Sequence, residues 1–250
     1  MSSSNLTSNP QPVDSVILPI GGITALSTLD YPDHLSCIVF TQGCPLRCSY
    51  CHNTHLIPYQ KVSDHDFSMN WYDVKSFLKS REGLLEAVVF SGGEPTIHSG
   101  LSQAFTEVRS MGFKVGLHTA GVNPEILAGL LPLIDWVGLD IKAPVGIYDQ
   151  VTGRRGLYQK NRDSLDVLLD SGIGYECRTT VDWHTIPPTA LLDLARELAG
   201  LGVRRYAVQV VHRQHLGREN NVITAVDEDA LKQQLTMMFP FFEWRASLDN

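Results

Sequence analysis

The feature that most constrains this chain is a cysteine-rich segment directly after an apolar run. The run Leu35–Phe40 ends at Thr41-Gln42-Gly43, and Cys44, Cys48 and Cys51 follow within eight residues. The chain has only five cysteines, so this density is not a result of composition. Disulfide bonding would leave one thiol over and would close very short loops. Clustered thiolates therefore indicate either zinc or an iron–sulfur cluster. We call residues 43–53 the cysteine loop.

The number of cysteines favours the iron–sulfur cluster. Structural zinc takes four protein ligands in a tetrahedron. The nearest fourth candidate, His52, directly follows Cys51, and adjacent residues rarely reach one metal. Three thiolates on a four-iron cluster would instead leave one iron open for a substrate. The spacing predicts a [4Fe-4S] cluster, and zinc stays the alternative.

The cysteine spacing also resembles a known family. Cys44-x-x-x-Cys48-x-x-Cys51, with Tyr50 inside it and His52-Asn53 after it, resembles the radical S-adenosylmethionine (SAM) enzymes. The chain looks most like the activating enzymes of glycyl radical enzymes, and residues 29–53 are similar to anaerobic ribonucleoside-triphosphate reductase activating proteins. The resemblance implies a [4Fe-4S] cluster on the three cysteines, SAM as the second cofactor, and the Tyr50 ring near the adenine.

A second motif follows the next predicted strand. Gly92-Gly93-Glu94-Pro95 resembles the segment that binds the SAM amino group in this family. Glycines let a ligand approach the backbone closely, and Glu94 can accept hydrogen bonds from an ammonium group. The alternative is an ordinary strand-to-helix turn.

Further site residues rest on their aligned position in the family pattern. The resemblance implies that Thr119 contacts the methionine or ribose of SAM, and that His212 lies near the adenosine. Asp140 and Lys142 match the family's Asp-x-Lys, in which the lysine suits a carboxylate. Arg178 lies within a predicted strand, where an unpaired guanidinium would be costly. We expect Arg178 to pair with a core carboxylate or to reach the SAM carboxylate or ribose.

Apolar segments of strand length alternate with helical patterns along the chain. Six strand–helix units with apolar strands predict a parallel sheet covered by helices. Six units are too few for a closed eight-fold barrel. We therefore expect an open partial (β/α)6 barrel, the shape that the resemblance also implies. We further expect an edge strand at Val16–Ile20, a helix over Trp71–Leu85, a helix capped by Ser99, and a last short strand at Phe241–Arg245.

Composition and charge limit the remaining possibilities. The 250 residues, 43% of them apolar, fit one core, so we expect a disordered tail over residues 1–14 and a single domain over residues 15–250. The net charge of −7 argues against nucleic acid or an anionic membrane as the partner. There is no apolar run of about 18 residues to span a bilayer. Five unpaired cysteines fit a reducing cytoplasm.

The resemblance implies a radical activase. An external one-electron reductant such as flavodoxin or ferredoxin would reduce the cluster, and SAM would cleave to a 5′-deoxyadenosyl radical. That radical would take a hydrogen from a glycine of a partner enzyme, which we expect to be anaerobic ribonucleoside-triphosphate reductase.

Several alternatives stay open. The chain could act on a small molecule, as 7-carboxy-7-deazaguanine synthase does, or it could be a pyruvate formate-lyase-type activating enzyme. In the latter family an aspartate that helps to hold a cation stands where this chain has His118. An electron-transfer protein and a zinc-stabilised interaction module are the remaining candidates.

Overall fold

The computed structural model describes residues 16–59, 69–211 and 226–246, so the predicted N-terminal tail lies outside the described residues. Its centre is an eight-stranded sheet whose strands lie side by side in chain order. The first strand is antiparallel to the second, and every later strand is parallel to its neighbour. The strands are β1 (Ile20–Ser27), β2 (Ser36–Thr41), β3 (Ala87–Gly92), β4 (Lys114–Thr119), β5 (Trp136–Asp140), β6 (Gly174–Val181), β7 (Arg205–Val210) and β8 (Phe241–Ala246).

Helices connect the parallel strands. They are α1 (Trp71–Lys79), α2 (Leu101–Ser110), α3 (Pro124–Leu130), α4 (Tyr148–Thr152), α5 (Tyr158–Ser171), α6 (Pro188–Gly200) and α7 (Glu228–Met238). Short 3-10 helices cover Thr54–Leu56, Pro95–Ile97 and Leu131–Leu133. Each strand from β2 to β7 is followed by helix, and β1 and β8 are the two unpaired edges of the sheet. The prediction of an open barrel with six strand–helix units is confirmed.

Successive side chains along each strand point to opposite faces of the sheet, and the two faces differ. On β3, Val88 and Phe90 join the large core beneath the helices, while Ala87 and Val89 belong to a small cluster on the inner face. In that cluster Tyr31, from the β1–β2 connection, stacks on Trp136 with ring centroids 5.6 Å apart. Trp136 begins β5, so these rings fill the amino end of the inner face. The open space is therefore left at the carboxyl ends of the strands.

Three sequence predictions of element bounds are wrong. The edge strand begins at Ile20 and continues to Ser27, through a register shift at the glycines that we expected to close it. Helix α1 ends at Lys79, and Gly83 then adopts a positive φ of 75° in the following turn.

The helix predicted to be capped by Ser99 has Gly100 as its N-cap, without a side-chain cap. The reason is a tight backbone contact. A Cβ on Gly100 would lie 2.4 Å from the carbonyl oxygen of Ile17, so only glycine fits where the chain enters α2.

Candidate active site at the carboxyl edge of the sheet

A pocket of about 920 Å³, counting its open mouth, lies at the carboxyl ends of the parallel strands. Parallel α/β sheets bind ligands at this edge. Ten residues predicted from the sequence line it: Cys44, Cys48, Tyr50, Cys51, Gly92, Gly93, Thr119, Asp140, Lys142 and Arg178. Glu94 and Pro95, which follow Gly93 in the chain, are buried. His212 lies outside the described residues.

Backbone hydrogen bonds hold the start of the cysteine loop in place. Gly43 N donates to Leu56 O over 2.8 Å, and Cys44 N donates to Ile57 O over 3.1 Å. The buried side chain of Gln42 donates from Nε2 to two further carbonyl oxygens of this segment, those of His55 and Pro58, both over 2.9 Å. The loop is therefore shaped by the protein before any cofactor binds.

The three thiols of the loop face one pocket but are not arranged around one point. Burial raises the pKa of Cys44 to about 11 and also raises the pKa of Cys48, which Lys142 partly opposes. Within the described ranges no three His, Cys, Asp or Glu side chains form a site for a single metal ion. A cubane cluster suits this arrangement better than zinc, because each thiolate would bind a different iron. The residues present therefore fit the cluster.

The other two cysteines belong to the core. Cys37 and Cys177 are fully buried beneath the helices, on the face of the sheet away from the pocket. Burial raises the pKa of Cys37 to about 12, so its thiol stays protonated. Both cysteines are structural residues of the hydrophobic core.

The two glycines of the second motif lie against the cysteine loop itself. A Cβ on Gly93 would lie 2.0 Å from Gly43 O, and one on Gly92, whose φ is 112°, would lie 2.5 Å from the backbone of Thr41. Gly93 N donates to Thr41 O, and Glu94 N donates to Gly43 O, both over 2.9 Å. The close approach that requires glycine is thus between two protein segments. The expected approach of SAM to the same backbone stays a prediction.

The carboxylate of Glu94 is hydrogen-bonded to other residues of the protein. Its buried carboxylate accepts hydrogen bonds from the backbone N and the Oγ1 of Thr96, from Thr119 Oγ1, and from Ala120 N, at 2.7–3.1 Å. It therefore joins the ends of β3 and β4. The Thr119 hydroxyl is also hydrogen-bonded within the protein, because it donates to Glu94 and accepts from Gly121 N over 3.0 Å. Among the described residues Oε2 of Glu94 accepts only the Ala120 bond, which leaves capacity for the predicted ammonium group.

Asp140 joins two cations in the floor of the pocket. Lys142 Nζ donates to Asp140 Oδ2 over 2.9 Å, and Arg178 Nε donates to Oδ1 over 3.0 Å. Burial alone would raise the pKa of Asp140, but Lys142 and Arg178 hold it well below its usual range. One carboxylate between two cations leaves a net positive charge, which would attract an anionic ligand group. Arg178 does pair with a core carboxylate, as one of our two expectations had it.

His118 completes this cluster as a neutral residue. Burial lowers its pKa, and the neighbouring Arg178 lowers it further. Arg178 Nη1 lies 3.2 Å from both ring nitrogens, and His118 Nε2 lies 2.9 Å from Asp30 O. A neutral ring beside a guanidinium is a poor site for a further cation.

Tyr50 lies where the cysteine loop meets this charged floor. Its ring is buried, and Lys142 Nζ lies 6.0 Å from the ring centroid. Its hydroxyl has no hydrogen-bond partner among the described residues. The ring could stack on a ligand in the pocket, as predicted for the adenine.

Two residues that sequence reasoning missed hold the pocket wall from α5. Asn161 donates from Nδ2 to Ala120 O and Asp140 O, both over 2.9 Å, and so ties the end of β4 to the end of β5. Ser164 donates to Gly121 O over 2.9 Å. The sequence could have indicated them, because these two polar residues lie three positions apart on the face of α5 that carries the apolar Leu165 and Leu168.

The fold and the site define an α/β half barrel with a three-thiol loop and a charged pocket at the carboxyl edge of its sheet. The radical SAM superfamily model matches residues 38–188 of this chain. The chain belongs to the radical SAM superfamily, whose enzymes use a [4Fe-4S] cluster and SAM.

Individual relatives point to more than one activity. A Methanocaldococcus jannaschii protein with the provisional name glycyl-radical enzyme activating enzyme is 30% identical over 198 residues, which cover 76% of this chain and 78% of that protein. The 7-carboxy-7-deazaguanine synthase of Thermococcus kodakarensis is 25% identical over 146 residues, covering 52% of this chain and 57% of that enzyme.

Among solved structures, Streptococcus suis SuiB bound to its precursor peptide SuiA superposes with a TM-score of 0.62 at 15% identity. The match covers 82% of this chain and 47% of SuiB. At this identity the similarity concerns the fold alone. Among the described residues, no helix is long and apolar enough to cross a membrane.

Proposed function

We propose that this chain is the activating enzyme of a glycyl radical enzyme, with anaerobic ribonucleoside-triphosphate reductase as the partner. The observation that carries the proposal is the 30% identity to the Methanocaldococcus jannaschii protein over three quarters of the chain. The similarity of residues 29–53 to anaerobic reductase activating proteins favours this particular partner. On this proposal residues 15–250 form one domain that works in the reducing cytoplasm with flavodoxin or ferredoxin as electron donor.

Each part of the pocket has a proposed role. Cys44, Cys48 and Cys51 would hold the cluster, and Lys142 with Arg178 would attract the carboxylate of SAM by their net positive charge. The pocket backbone at Gly92 and Gly93, with Glu94 beneath it, would receive the amino group of SAM. Thr119 and Tyr50 would contact its ribose or methionine part and its adenine, and His212 would lie near the adenosine.

When bound, the cluster and SAM supply a 5′-deoxyadenosyl radical. The contribution of the protein is to hold the reacting groups at a fixed position and to restrict access of water. The unpaired edges β1 and β8 leave the half barrel open at the side, which suits entry of a glycine-bearing loop of a partner protein. The segment between β5 and α5 is hydrogen-bonded to the cysteine loop through α4, because Arg47 N donates to Thr152 O over 2.8 Å.

The decisive experiment uses reduced, reconstituted protein with SAM and the anaerobic ribonucleotide reductase of the same host. We expect a glycyl doublet in the electron paramagnetic resonance (EPR) spectrum of the reductase, with 5′-deoxyadenosine formed in a matching amount. Deoxyadenosine that appears without a glycyl doublet on this or any other glycyl radical enzyme of the host would contradict the proposal.

The second candidate is an enzyme that acts on a small molecule. The similarity to 7-carboxy-7-deazaguanine synthase favours it, over about half of each chain. In the same assay, deoxyadenosine release triggered by a low-molecular-weight metabolite in the absence of any protein partner would support this candidate.

Cysteine substitutions test the cluster assignment. Replacing Cys44, Cys48 or Cys51 with Ala should abolish the cubane, because these are the clustered thiols of the chain. Cys37→Ala is the matched control, since that thiol is fully buried on the opposite face of the sheet, and it should keep iron and acid-labile sulfide. Stoichiometric zinc without sulfide in the unmodified protein would contradict the assignment.

A further inference from the structure

The first turn of the cysteine loop carries two arginine side chains on its backbone carbonyl groups. Arg47 Nη1 donates to Cys44 O over 2.8 Å and to Leu46 O over 2.7 Å. Arg154 Nε donates to Pro45 O over 2.7 Å. The carbonyl oxygens of three consecutive residues are thus all bonded to guanidinium groups. Both arginines are therefore fixed against the turn that leads from the first cysteine of the loop to the second.

The chain just after α4 lies directly against this turn. Arg47 N donates to Thr152 O over 2.8 Å, and a Cβ on Gly153 would lie 2.9 Å from Arg47 O. Arg154 and Arg155 come next in the chain, and both are exposed, as Arg47 is. We call Arg47, Arg154 and Arg155 the arginine patch.

The arginine patch keeps hydrogen-bond donors free. A guanidinium group has five N–H donors and no acceptor. Within the described ranges, the three hydrogen bonds to the loop carbonyls are the only polar contacts of these side chains, and none of the three pairs with a carboxylate. Both Nη atoms of Arg154 are therefore available for a two-point contact with a carboxylate of another molecule.

The charge around the patch is opposite in sign to that of the whole chain. The net charge of the chain is −7, but residues 43–59 contain no Asp or Glu. Residues 143–160 contain one acidic residue, Asp149, against the two arginines of the patch and Lys160. The cysteine loop and the start of α5 therefore present a local excess of positive charge, which would attract an acidic partner.

An exposed aromatic residue also lies against the cysteine loop. A Cβ on Gly43 would lie 3.2 Å from the ring of Tyr59, whose side chain is exposed. Exposed tyrosine and arginine together are typical of protein–protein contact surfaces. Of the described residues that line the pocket, none belongs to the arginine patch, and Tyr59 is not among them either. A protein could therefore contact this surface while SAM and the substrate occupy the pocket.

We propose that the arginine patch, with Tyr59, is the docking surface for an acidic protein that donates one electron. Docking there places the donor against the turn that carries two of the cluster ligands. One electron passes from the reduced donor, which is oxidised, to the cluster, which is reduced, and no bond forms or breaks. The glycyl radical enzyme is the less suitable occupant, because its glycine has to reach the pocket. The inference deepens the proposed function and rests on it for the need of an external electron donor.

The test is Arg155→Glu in the reconstituted protein, since no hydrogen bond joins this side chain to another described residue. The donors are the flavodoxin and the ferredoxin of the same host. Two quantities are measured for each: the dissociation constant of the oxidised donor, and the rate constant with which the reduced donor reduces the cluster. Rates are given per cluster, counted by EPR after reduction with dithionite. For at least one donor we expect both affinity and rate constant to fall about tenfold at low ionic strength. The difference should shrink as salt is added.

Arg204→Glu is the matched control. Arg204 is also exposed, and it directly precedes β7, so it lies at the amino end of the sheet, opposite the pocket. The change in charge is the same, and the affinity for the donor should change less than about twofold. Arg154→Gln tests the patch at a second position and, with one charge removed, should weaken donor binding about threefold.

Three results would overturn the proposal. The first is an equal effect of Arg155→Glu and Arg204→Glu on the affinity for both donors, and the second is an affinity that does not depend on salt. The third is a loss of affinity for the glycyl radical enzyme in Arg155→Glu with unchanged affinity for the donors, because the patch would then serve that enzyme. Reduction that depends on Arg155, in a protein that activates no glycyl radical enzyme, would leave this inference standing and count against the proposed function.

Discussion

At the residue scale, Gly93 shows how one position serves both motifs of the site. The cysteine loop and the Gly92–Pro95 segment meet through main-chain atoms, with Glu94 N donating to Gly43 O over 2.9 Å. Any side chain at position 93 would occupy the space of Gly43 O. A change there should therefore disturb the cysteine loop first, in addition to the SAM contact that the sequence pattern predicts.

We predict that Gly93→Ala reduces both stability and cluster content. Overpacking of this kind costs about 1–3 kcal/mol, and the displaced loop should take up less than half of the iron that the unmodified protein binds. Thermal unfolding and iron per chain after reconstitution measure the two effects. Gly129→Ala in α3 is the control, because nothing lies within 4 Å of its added Cβ. Full iron content in Gly93→Ala would contradict the prediction, because it would show that the cysteine loop and the Gly92–Pro95 segment can move apart without loss of iron binding.

At the scale of elements, α5 fixes two strand ends at the pocket. Asn161 donates to the carbonyl oxygens of Ala120, which directly follows β4, and of Asp140, which ends β5. Asp140 in turn holds Lys142 and Arg178. The helix therefore joins two strand ends at the charged floor, although none of its residues lines the pocket.

We expect Asn161→Ala to weaken both the fold and SAM binding. Two buried carbonyl oxygens lose their donor, which costs about 2 kcal/mol or more. Denaturant unfolding and SAM affinity of the cluster-loaded protein test this. Gln159→Ala removes an exposed hydrogen bond to Asp163 on the same helix and should change neither. If the affinity is unchanged while stability falls, α5 supports the fold but not the site.

The last strand is held by a buried ion pair. Arg245 of β8 donates to both carboxylate oxygens of Glu176 in β6, at 2.8 and 3.0 Å. Glu176 is only 1% exposed, so its carboxylate would be costly to bury without this partner. The pair bridges the intervening strand β7 and fastens the edge of the open barrel.

Arg245→Leu should destabilise the protein by about 3 kcal/mol, because it leaves a buried carboxylate unpaired. Chemical unfolding measures this cost. The control Arg196→Leu breaks an exposed pair with Asp193 and should cost about 0.5 kcal/mol or less. Equal effects of the two substitutions on the free energy of unfolding would contradict the prediction.

At the scale of the whole molecule, the sheet separates an apolar outer face from a polar inner face. Helices cover the outer face and supply the main core. The inner face carries His118, Asp140 and Arg178, side by side on consecutive strands. Stability of the molecule should therefore depend on the charge state of these inner groups.

We predict that stability falls as the pH drops below about 6.5, partly through His118. Its folded pKa is depressed by burial and by Arg178, so below the ordinary histidine pKa the unfolded chain takes up a proton that the folded protein does not. The loss is up to about 1.4 kcal/mol per pH unit. The difference between the unfolding free energies at pH 6.5 and pH 5 should be smaller in His118→Gln than in the unmodified protein. An identical dependence of the unfolding free energy on pH in the two proteins would contradict the prediction.

The sequence by itself predicted the family, with its two cofactors, and the order of elements. Three cysteines at fixed spacing predict a cluster loop, because their short separation places the three thiols on one loop, and the alternation of apolar strands and helices predicts a parallel sheet. Both depend on residues near each other in the chain. One bound that was wrong, the start of α2, lies at Gly100, where a distant contact with Ile17 leaves no room for a side chain.

Only the tertiary structure decided how the site is held together. Gly93 meets Gly43 across fifty residues, Glu94 is satisfied by Thr119 and Ala120, and α5 reaches the strand ends from the far side of the sheet. The physical reason is that close packing and buried hydrogen bonds join segments with no fixed separation along the chain. No local pattern records such pairs, so the sequence predicts the residues of the site and the fold determines which neighbours position them.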